Sequence, residues 1–187
     1  MKDKDLLVRR FRKADAEAVR QIIHRGLREV NSRDYSPERI DEYCRYFTPE
    51  KILDQAEAAH MYVAQSGDGT ILGTGTIAPY WGSETESILL TVYVRPDFLK
   101  QGIGSALIDA LEADEYFLRA VRIEVPASMT AVKFYEKMGY AGKDGKTAPD
   151  EEGLIRMEKI RVLKNLDICP ACSIRNLIEG GSDPATF

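Results

Sequence analysis

The sequence of 187 residues predicts an α/β (α+β) fold, in which a mixed, largely antiparallel sheet of six or seven strands is flanked by helices. An apolar, β-branched run at residues 88–94 is followed by a glycine loop and a segment with helical spacing. Two short strand-like runs, at residues 60–65 and 70–78, enclose a Ser-Gly-Asp-Gly turn typical of a hairpin. Because this hairpin precedes the strand–loop–helix unit, the order of the elements favours a partly antiparallel sheet.

The other elements are predicted from periodicity and from helix caps. Asp15 is the expected N-cap of the first helix, and Ser36 and Thr48 each precede a proline at the first helical position. Pro126 is expected to end a strand, and Gly139 to end the last helix. The predicted strands are residues 6–11, 121–125 and 154–160, and the predicted helices are residues 14–30, 37–46, 49–57, 103–118 and 130–138.

Composition narrows the functional class. The formal net charge of −4 argues against a general nucleic-acid-binding protein, which would normally carry a basic surplus. No apolar run approaches the roughly 20 residues of a membrane span, and the charged first residues lack the apolar core of a signal peptide. We therefore expect a cytoplasmic protein with no membrane and no nucleic-acid partner.

Cysteine usage and chain length predict one domain without a metal site. Cys169 and Cys172 form a single C-x-x-C pair, and no second pair completes the four ligands of a zinc site. We expect two ordinary thiols. Residues 1–160 are predicted to form the domain, and residues 161–187 a C-terminal extension of unknown role.

The glycine loop has a chemical consequence. Gly102 and Gly104 open a helix directly after a buried strand, and the first amides of a helix lack intrahelical acceptors. These amides lie at the positive end of the helix dipole, and glycine lets an anion approach them closely. The spacing predicts a phosphate-binding loop, with a tight turn of no chemical role as the alternative.

Two ordered motifs carry a resemblance to a known family. Val94-x-Pro96 followed by Gln101-Gly102-Ile103-Gly104-Ser105-Ala106-Leu107 resembles the acetyl-coenzyme A (acetyl-CoA) loop of the GNAT superfamily of N-acetyltransferases. The block from Ala131 to Tyr140, AVKFYEKMGY, is similar to a later helix of that family. The resemblance implies a GNAT-like fold, acetyl-CoA as co-substrate, and direct acetyl transfer to a primary amine in a ternary complex.

The resemblance also implies roles for individual residues. Tyr135 matches the family's general acid, which protonates the departing sulfur. The backbone of Val92 and Val94 would pair with the pantetheine arm, and the Val92 amide would face the thioester oxygen. The implied cofactor-binding residues are Val92, Val94, Leu99, Lys100, Gln101, Gly102, Ile103, Gly104, Ser105 and Ser128.

The chain departs from the family pattern at several positions. Ile88 stands where many relatives have a catalytic glutamate, and Ser128 stands where an asparagine is frequent. Leu99 and Lys100 replace the common Arg or Gln and the following Gly. Glu86 lies about 20 Å from Val92 along a strand, too far for direct proton transfer, so a water chain or a group from elsewhere would have to serve as the base.

The base and the acceptor stay open at this point. Tyr35, Glu124 and His24 are candidate bases, and the first two are candidate substrate residues, whereas the position of His24 beside an apolar stripe favours a structural role. The acceptor is a small-molecule or peptide amine, and a homodimer is possible. The alternatives are a dinucleotide-binding protein, disfavoured because Leu107 replaces the third glycine, and an acyl-CoA-binding sensor without turnover.

Overall fold

A computed structural model describes residues 6–161. Their strands form a single seven-stranded sheet. The strand order is β1-β2-β3-β4-β5-β7-β6. The strands are β1 (Leu7–Arg10), β2 (His60–Gln65), β3 (Ile71–Pro79), β4 (Glu86–Val94), β5 (Arg122–Ala127), β6 (Ala141–Gly142) and β7 (Ile155–Ile160). Cys169 and Cys172, and nearly all of the predicted extension, lie outside the described residues.

The mixed, largely antiparallel sheet predicted from the sequence is confirmed. Only β4 and β5 pair in parallel, and every other neighbouring pair is antiparallel. The parallel pairing is short: it runs from Glu86 opposite Arg122 to Ile88 opposite Glu124, and ends there. Beyond that point the two strands separate, which leaves one edge of β4 without a partner strand.

Helices cover both faces of the sheet. They are α1 (Ala16–Arg25), α2 (Pro37–Tyr46), α3 (Pro49–Ala58), α4 (Ile103–Glu112), α5 (Glu115–Arg119) and α6 (Val132–Lys137). Alternate residues of β2 divide between two cores: Met61 and Val63 pack with α1 to α3, and Ala64 packs with α4. No helix among residues 6–161 is long and apolar enough to cross a membrane.

Two glycines let α4 lie directly on the sheet. A Cβ atom at Gly73 would lie 2.9 Å from Leu107 Cδ1, and one at Gly75 would lie 2.9 Å from Leu111 Cδ1. Because no side chain fills these positions, the leucines of α4 reach the backbone of β3. This contact fixes the helix that follows the glycine loop.

Several local predictions differ from the structure. Asp15 stands at the N-cap position of α1, as predicted, but its side chain does not cap the helix, because its carboxylate accepts hydrogen bonds from Arg9 and from the Arg12 amide. The predicted helix over residues 103–118 is two helices, since Asp114 caps a new one by accepting from the Tyr116 amide. Strand β5 continues through Pro126, which is tolerated because β5 has no partner on its β4 side there.

The first helix ends earlier than its apolar stripe predicts. After Arg25 the chain widens into a π-type turn, Gly26–Val30, and then tightens into a 3-10 turn, Asn31–Arg33. A Cβ atom at Gly26 would lie 2.6 Å from Tyr93 Cδ1, so the wide turn packs its backbone against the Tyr93 ring. Wide turns of this kind often occur at functional sites.

Candidate active site

The separation of β4 from β5 opens a cavity of about 760 Å³. Its walls come from β4 at Leu89–Val94, from β5 and the turn after it, from the glycine loop, from α6, and from the chain that follows α1. The cavity lies between the end of β4 near Val94 and the end of β5 near Val125. Crevices at the ends of strands that part are common ligand sites in α/β proteins.

A bulge in β4 shapes one wall of this cavity. Thr74 pairs with Tyr93 and Thr76 with Leu90, so β4 carries one residue more than β3 between these pairs. Within the bulge, Thr91 has φ of +47°, which is an outlier for a β-branched residue. Its hydroxyl lies 2.8 Å from the hydroxyl of Thr76, a residue with no exposed surface. This hydrogen bond stabilises the strained backbone next to Val92.

The glycine loop presents free amides to the cavity. None of the backbone amides from Lys100 to Ser105 donates to an acceptor within residues 6–161, and the first helical bond runs from Ala106 to Gly102. Gly102 has φ of +85°, and Lys100 has φ of +62°. The left-handed backbone at Lys100 gives a physical reason for the glycine that the family commonly has there. The loop fits a diphosphate, because it offers several unpaired donors at a helix N-terminus.

Three phenols face the cavity. Tyr35, Tyr93 and Tyr135 all line it. Their hydroxyls have no hydrogen-bond partner within residues 6–161, and solvent can reach them. Burial raises the pKa of Tyr135 and of Tyr93, and burial together with the neighbouring Tyr43 and Asp34 raises the pKa of Tyr35 to about 12. All three therefore stay protonated at neutral pH and can donate a proton or a hydrogen bond.

The charged side chains that line the cavity are all lysines: Lys100, Lys133 and Lys137. Over residues 6–161 no carboxylate and no imidazole lies in the cavity wall. Cations beside a row of free amides suit a ligand that carries phosphates.

Most of the predicted site residues come together in this cavity. Its lining includes Val92, Val94, Leu99, Lys100, Gly102, Gly104, Ser105, Ser128, Tyr35 and Tyr135. Gln101 and Ile103 do not line it: the side chain of Gln101 is exposed, and that of Ile103 packs into the core with Leu107. For these two residues only the backbone amide is available to a ligand.

Of the candidate bases from the sequence, Tyr35 lines the cavity, whereas Glu124 and His24 lie elsewhere. Glu124 is buried outside the cavity and contacts Arg122, Lys143 at 2.9 Å and Arg156 at 3.8 Å. Glu86 pairs with Arg122 at 2.8 Å. His24 Nε2 lies 2.9 Å from the carbonyl oxygen of Phe47, a structural contact that agrees with the role favoured by its sequence position.

Sequence reasoning missed several lining residues. Lys133 and Lys137 are four residues apart on α6 and so lie on one side of it, a spacing that could have flagged them. No spacing marked Tyr93 or Asn31 as a lining residue, because Tyr93 lies in an apolar strand and Asn31 lies in a turn.

Comparison with protein families gives a match to the acetyltransferase (GNAT) family over residues 20–140. The chain belongs to the GNAT acetyltransferase family. It is therefore an acetyltransferase of the GNAT type, and enzymes of this family use acetyl-CoA as the acetyl donor and an amine as the acceptor. Comparison with curated protein sequences gives no match.

Solved structures of GNAT proteins share the fold. The PaiA N-acetyltransferase of Thermoplasma acidophilum, in complex with coenzyme A, is 19% identical, with a TM-score of 0.72 over 83% of this chain and 99% of that chain. A GCN5-related N-acetyltransferase of Rhodopseudomonas palustris is 23% identical, with a TM-score of 0.68 over 86% and 99%. Ard1 of Thermoplasma volcanium is 21% identical, with a TM-score of 0.60 over 85% and 99%.

Proposed function

We propose that residues 1–160 form an N-acetyltransferase domain that transfers an acetyl group from acetyl-CoA directly to a primary amine, with Tyr135 as the general acid. The observation that carries this proposal is a single cavity lined both by the glycine loop, whose amides are free, and by Tyr135, whose hydroxyl has no partner within residues 6–161. The free amides suit the diphosphate of acetyl-CoA, and the Tyr135 hydroxyl suits the departing sulfur.

The donor would be held mainly by backbone groups. The amides from Lys100 to Ser105 would bind the diphosphate, with Lys100 adding a positive charge. The unpaired edge of β4 from Leu89 onward would pair with the amide groups of the pantetheine arm through Val92 and Val94. Ser128, which lines the cavity, would contact the nucleotide portion.

Two groups would act on the thioester. The bulge at Thr91 exposes the backbone of β4, so the Val92 amide would stabilise the negative charge that develops on the thioester oxygen. Tyr135 would give its phenolic proton to the sulfur as the carbon–sulfur bond breaks. Because burial raises its pKa, the proton is present throughout the neutral range.

The test is thiol release from acetyl-CoA with a panel of primary amines, for the wild type and for Tyr135→Phe. We expect Tyr135→Phe to lower kcat by roughly 10²-fold or more, within the usual range for a general acid, with the affinity for coenzyme A retained. Tyr140→Phe is the matched control, because Tyr140 is equally buried against Tyr135, donates to Glu112 at 3.1 Å and does not line the cavity. An unchanged kcat in Tyr135→Phe would contradict the assignment.

A second candidate function is an acyl-CoA-binding sensor without turnover. The lack of a carboxylate in the cavity wall over residues 6–161 favours it, since no group there matches the usual catalytic glutamate. Tight binding of coenzyme A with no thiol release for any amine would select the sensor. The homodimer and the cytoplasmic location stay predictions, and sedimentation of the purified protein tests the first.

A further inference from the structure

An amine attacks a thioester only as the free base, so basicity decides how much help an acceptor needs. A lysine side chain has a pKa of about 10.4, whereas a peptide α-amino group has a pKa of about 7.7–8.0. An enzyme that acetylates strongly basic amines gains from a carboxylate that holds the ammonium form and from a base that removes its proton. The cavity wall described above offers neither of these groups.

The lining charges oppose an ammonium ion. Lys100, Lys133 and Lys137 are the only ionised side chains in the wall over residues 6–161, and all three are positive. All three lysines are exposed, so their effect is weakened by solvent. A cationic acceptor would still find no compensating negative side chain in the wall over residues 6–161, and binding would favour its neutral form. Bound phosphates would offset part of this field near the glycine loop.

Several carboxylates on the surrounding elements are already engaged, and Glu136 on α6 is exposed and does not line the cavity. Asp34, which precedes α2, accepts from the Thr130 amide at 3.1 Å and from the Thr130 hydroxyl at 2.8 Å. Acidic groups of β4, β5, β7 and the loop before β7 pair with arginine or lysine. Glu86, Glu124 and Glu158 contact Arg122, and Glu124 also contacts Lys143 and Arg156. Asp150 and Glu152 pair with Arg156. None of these acids lines the cavity.

The phenols of the wall do not replace a base. The raised pKa values of Tyr35, Tyr93 and Tyr135 keep all three protonated at neutral pH. They can donate a proton to sulfur or a hydrogen bond to the acceptor, but they cannot accept the proton of an ammonium ion.

We propose that the acceptor is a weakly basic primary amine, with a conjugate-acid pKa of about 8 or lower, such as the α-amino group of a peptide or amino-acid amide. This inference rests on the proposed function and deepens it. The amine enters uncharged, its nitrogen bonds to the thioester carbon, and the carbon–sulfur bond breaks. Tyr135 gives its proton to the sulfur and regains one from water, which takes the proton lost by the nitrogen, so the overall change moves one proton from nitrogen to sulfur.

The expected discrimination follows from the free-base fractions. At pH 7.5 an amine of pKa 7.9 is about 30% neutral and one of pKa 10.4 is about 0.1% neutral, a ratio of ~200. At pH 9.5 the same ratio falls to ~9. If the cavity wall holds no base, the difference in free-base fraction appears in full as a difference in rate. A base that deprotonates the ammonium form would reduce the rate difference at neutral pH.

The experiment uses the full chain, acetyl-CoA and two versions of one lysine-containing peptide. One version has a free α-amino group and an acetylated lysine, and the other has an acetylated N-terminus and a free lysine. We expect kcat/KM to favour the α-amino peptide by ~100-fold or more at pH 7.5 and by ~10-fold at pH 9.5. Propargylamine and propylamine give a size-matched pair, and the less basic propargylamine should be the better acceptor.

Several outcomes would overturn the proposal. Equal or faster acetylation of the lysine peptide, or of propylamine, at pH 7.5 would show that a base is at work. Asp34→Asn keeps a carbonyl acceptor for Thr130, so it should preserve the rise of kcat/KM with pH; loss of that rise would identify Asp34 as the base. Absence of thiol release with every amine would instead refute the proposed function, and this inference with it.

Discussion

The hydroxyl pair of Thr91 and Thr76 gives the sharpest test of how the β4 bulge is held. Thr91 keeps a backbone conformation that costs a residue with a Cβ atom roughly 1–2 kcal/mol. Its hydroxyl is the only side-chain partner of the fully buried Thr76 hydroxyl within residues 6–161. Thr91→Val keeps the branched shape and the strained backbone, but removes that partner.

The size of the effect follows from burial. An unpaired buried hydroxyl costs about 1–3 kcal/mol, so Thr91→Val should lower the free energy of unfolding by about 2 kcal/mol. Thr76→Val should lower it by about 1 kcal/mol, since Thr91 borders the cavity and water can replace its lost partner. The double variant removes both hydroxyls, and its loss should be smaller than the sum of the two by ~1 kcal/mol.

The assay is urea unfolding followed by circular dichroism for the two single variants and the double variant. Thr74→Val is the control: Thr74 is equally buried on the same strand, but its hydroxyl donates to the carbonyl oxygen of Tyr62 at 3.1 Å. Its effect should add to that of Thr91→Val within about 0.5 kcal/mol. If the losses of unfolding free energy of Thr76→Val and Thr91→Val add just as closely in the double variant, the hydroxyl pair does not stabilise the bulge.

Three further predictions follow from the described contacts. Lys100→Gly should raise the free energy of unfolding by up to ~1 kcal/mol, because the backbone there is left-handed; thermal unfolding tests this effect. The same variant should weaken coenzyme A binding, because a cation is lost; calorimetry tests that effect. Gly26→Ala should displace the Tyr93 ring, lower stability by about 1–3 kcal/mol and raise the KM for the acceptor; an unchanged KM would contradict this contact. Burial opposes ionisation of Asp15, but hydrogen bonds from Arg9 and from the Arg12 amide outweigh it and lower the pKa of this carboxyl. The ionised form therefore stabilises the fold above the unfolded pKa of about 3.9, and Asp15→Asn should cost ~3 kcal/mol at pH 7, a difference that shrinks as pH falls below 4 in guanidinium unfolding.

The glycine loop shows how far local rules reach. A buried strand, two glycines and a helical stripe predict free amides at the start of α4, and the structure has them there. The mixed sheet was predictable for a similar reason, because a hairpin and a strand–loop–helix unit each leave a local pattern.

The bulge at Thr91 lay beyond such rules. Residues 88–94 are all favourable for a strand, so nothing in the run marks the position where the backbone turns left-handed. The hydroxyl that Thr91 contacts in the bulge belongs to Thr76, which lies on another strand. Glu124 illustrates the same limit, because its cationic partners come from three separate segments of the chain.

The sequence by itself determined the family and the free amides of the glycine loop, since the freedom of these amides at a helix N-terminus depends only on neighbouring residues. The tertiary structure decided the rest of the cavity wall. Where β4 and β5 separate, it combines side chains from the turn after α1, from β4 and from α6, and its positive charge comes from Lys100 of the glycine loop and from Lys133 and Lys137 of α6.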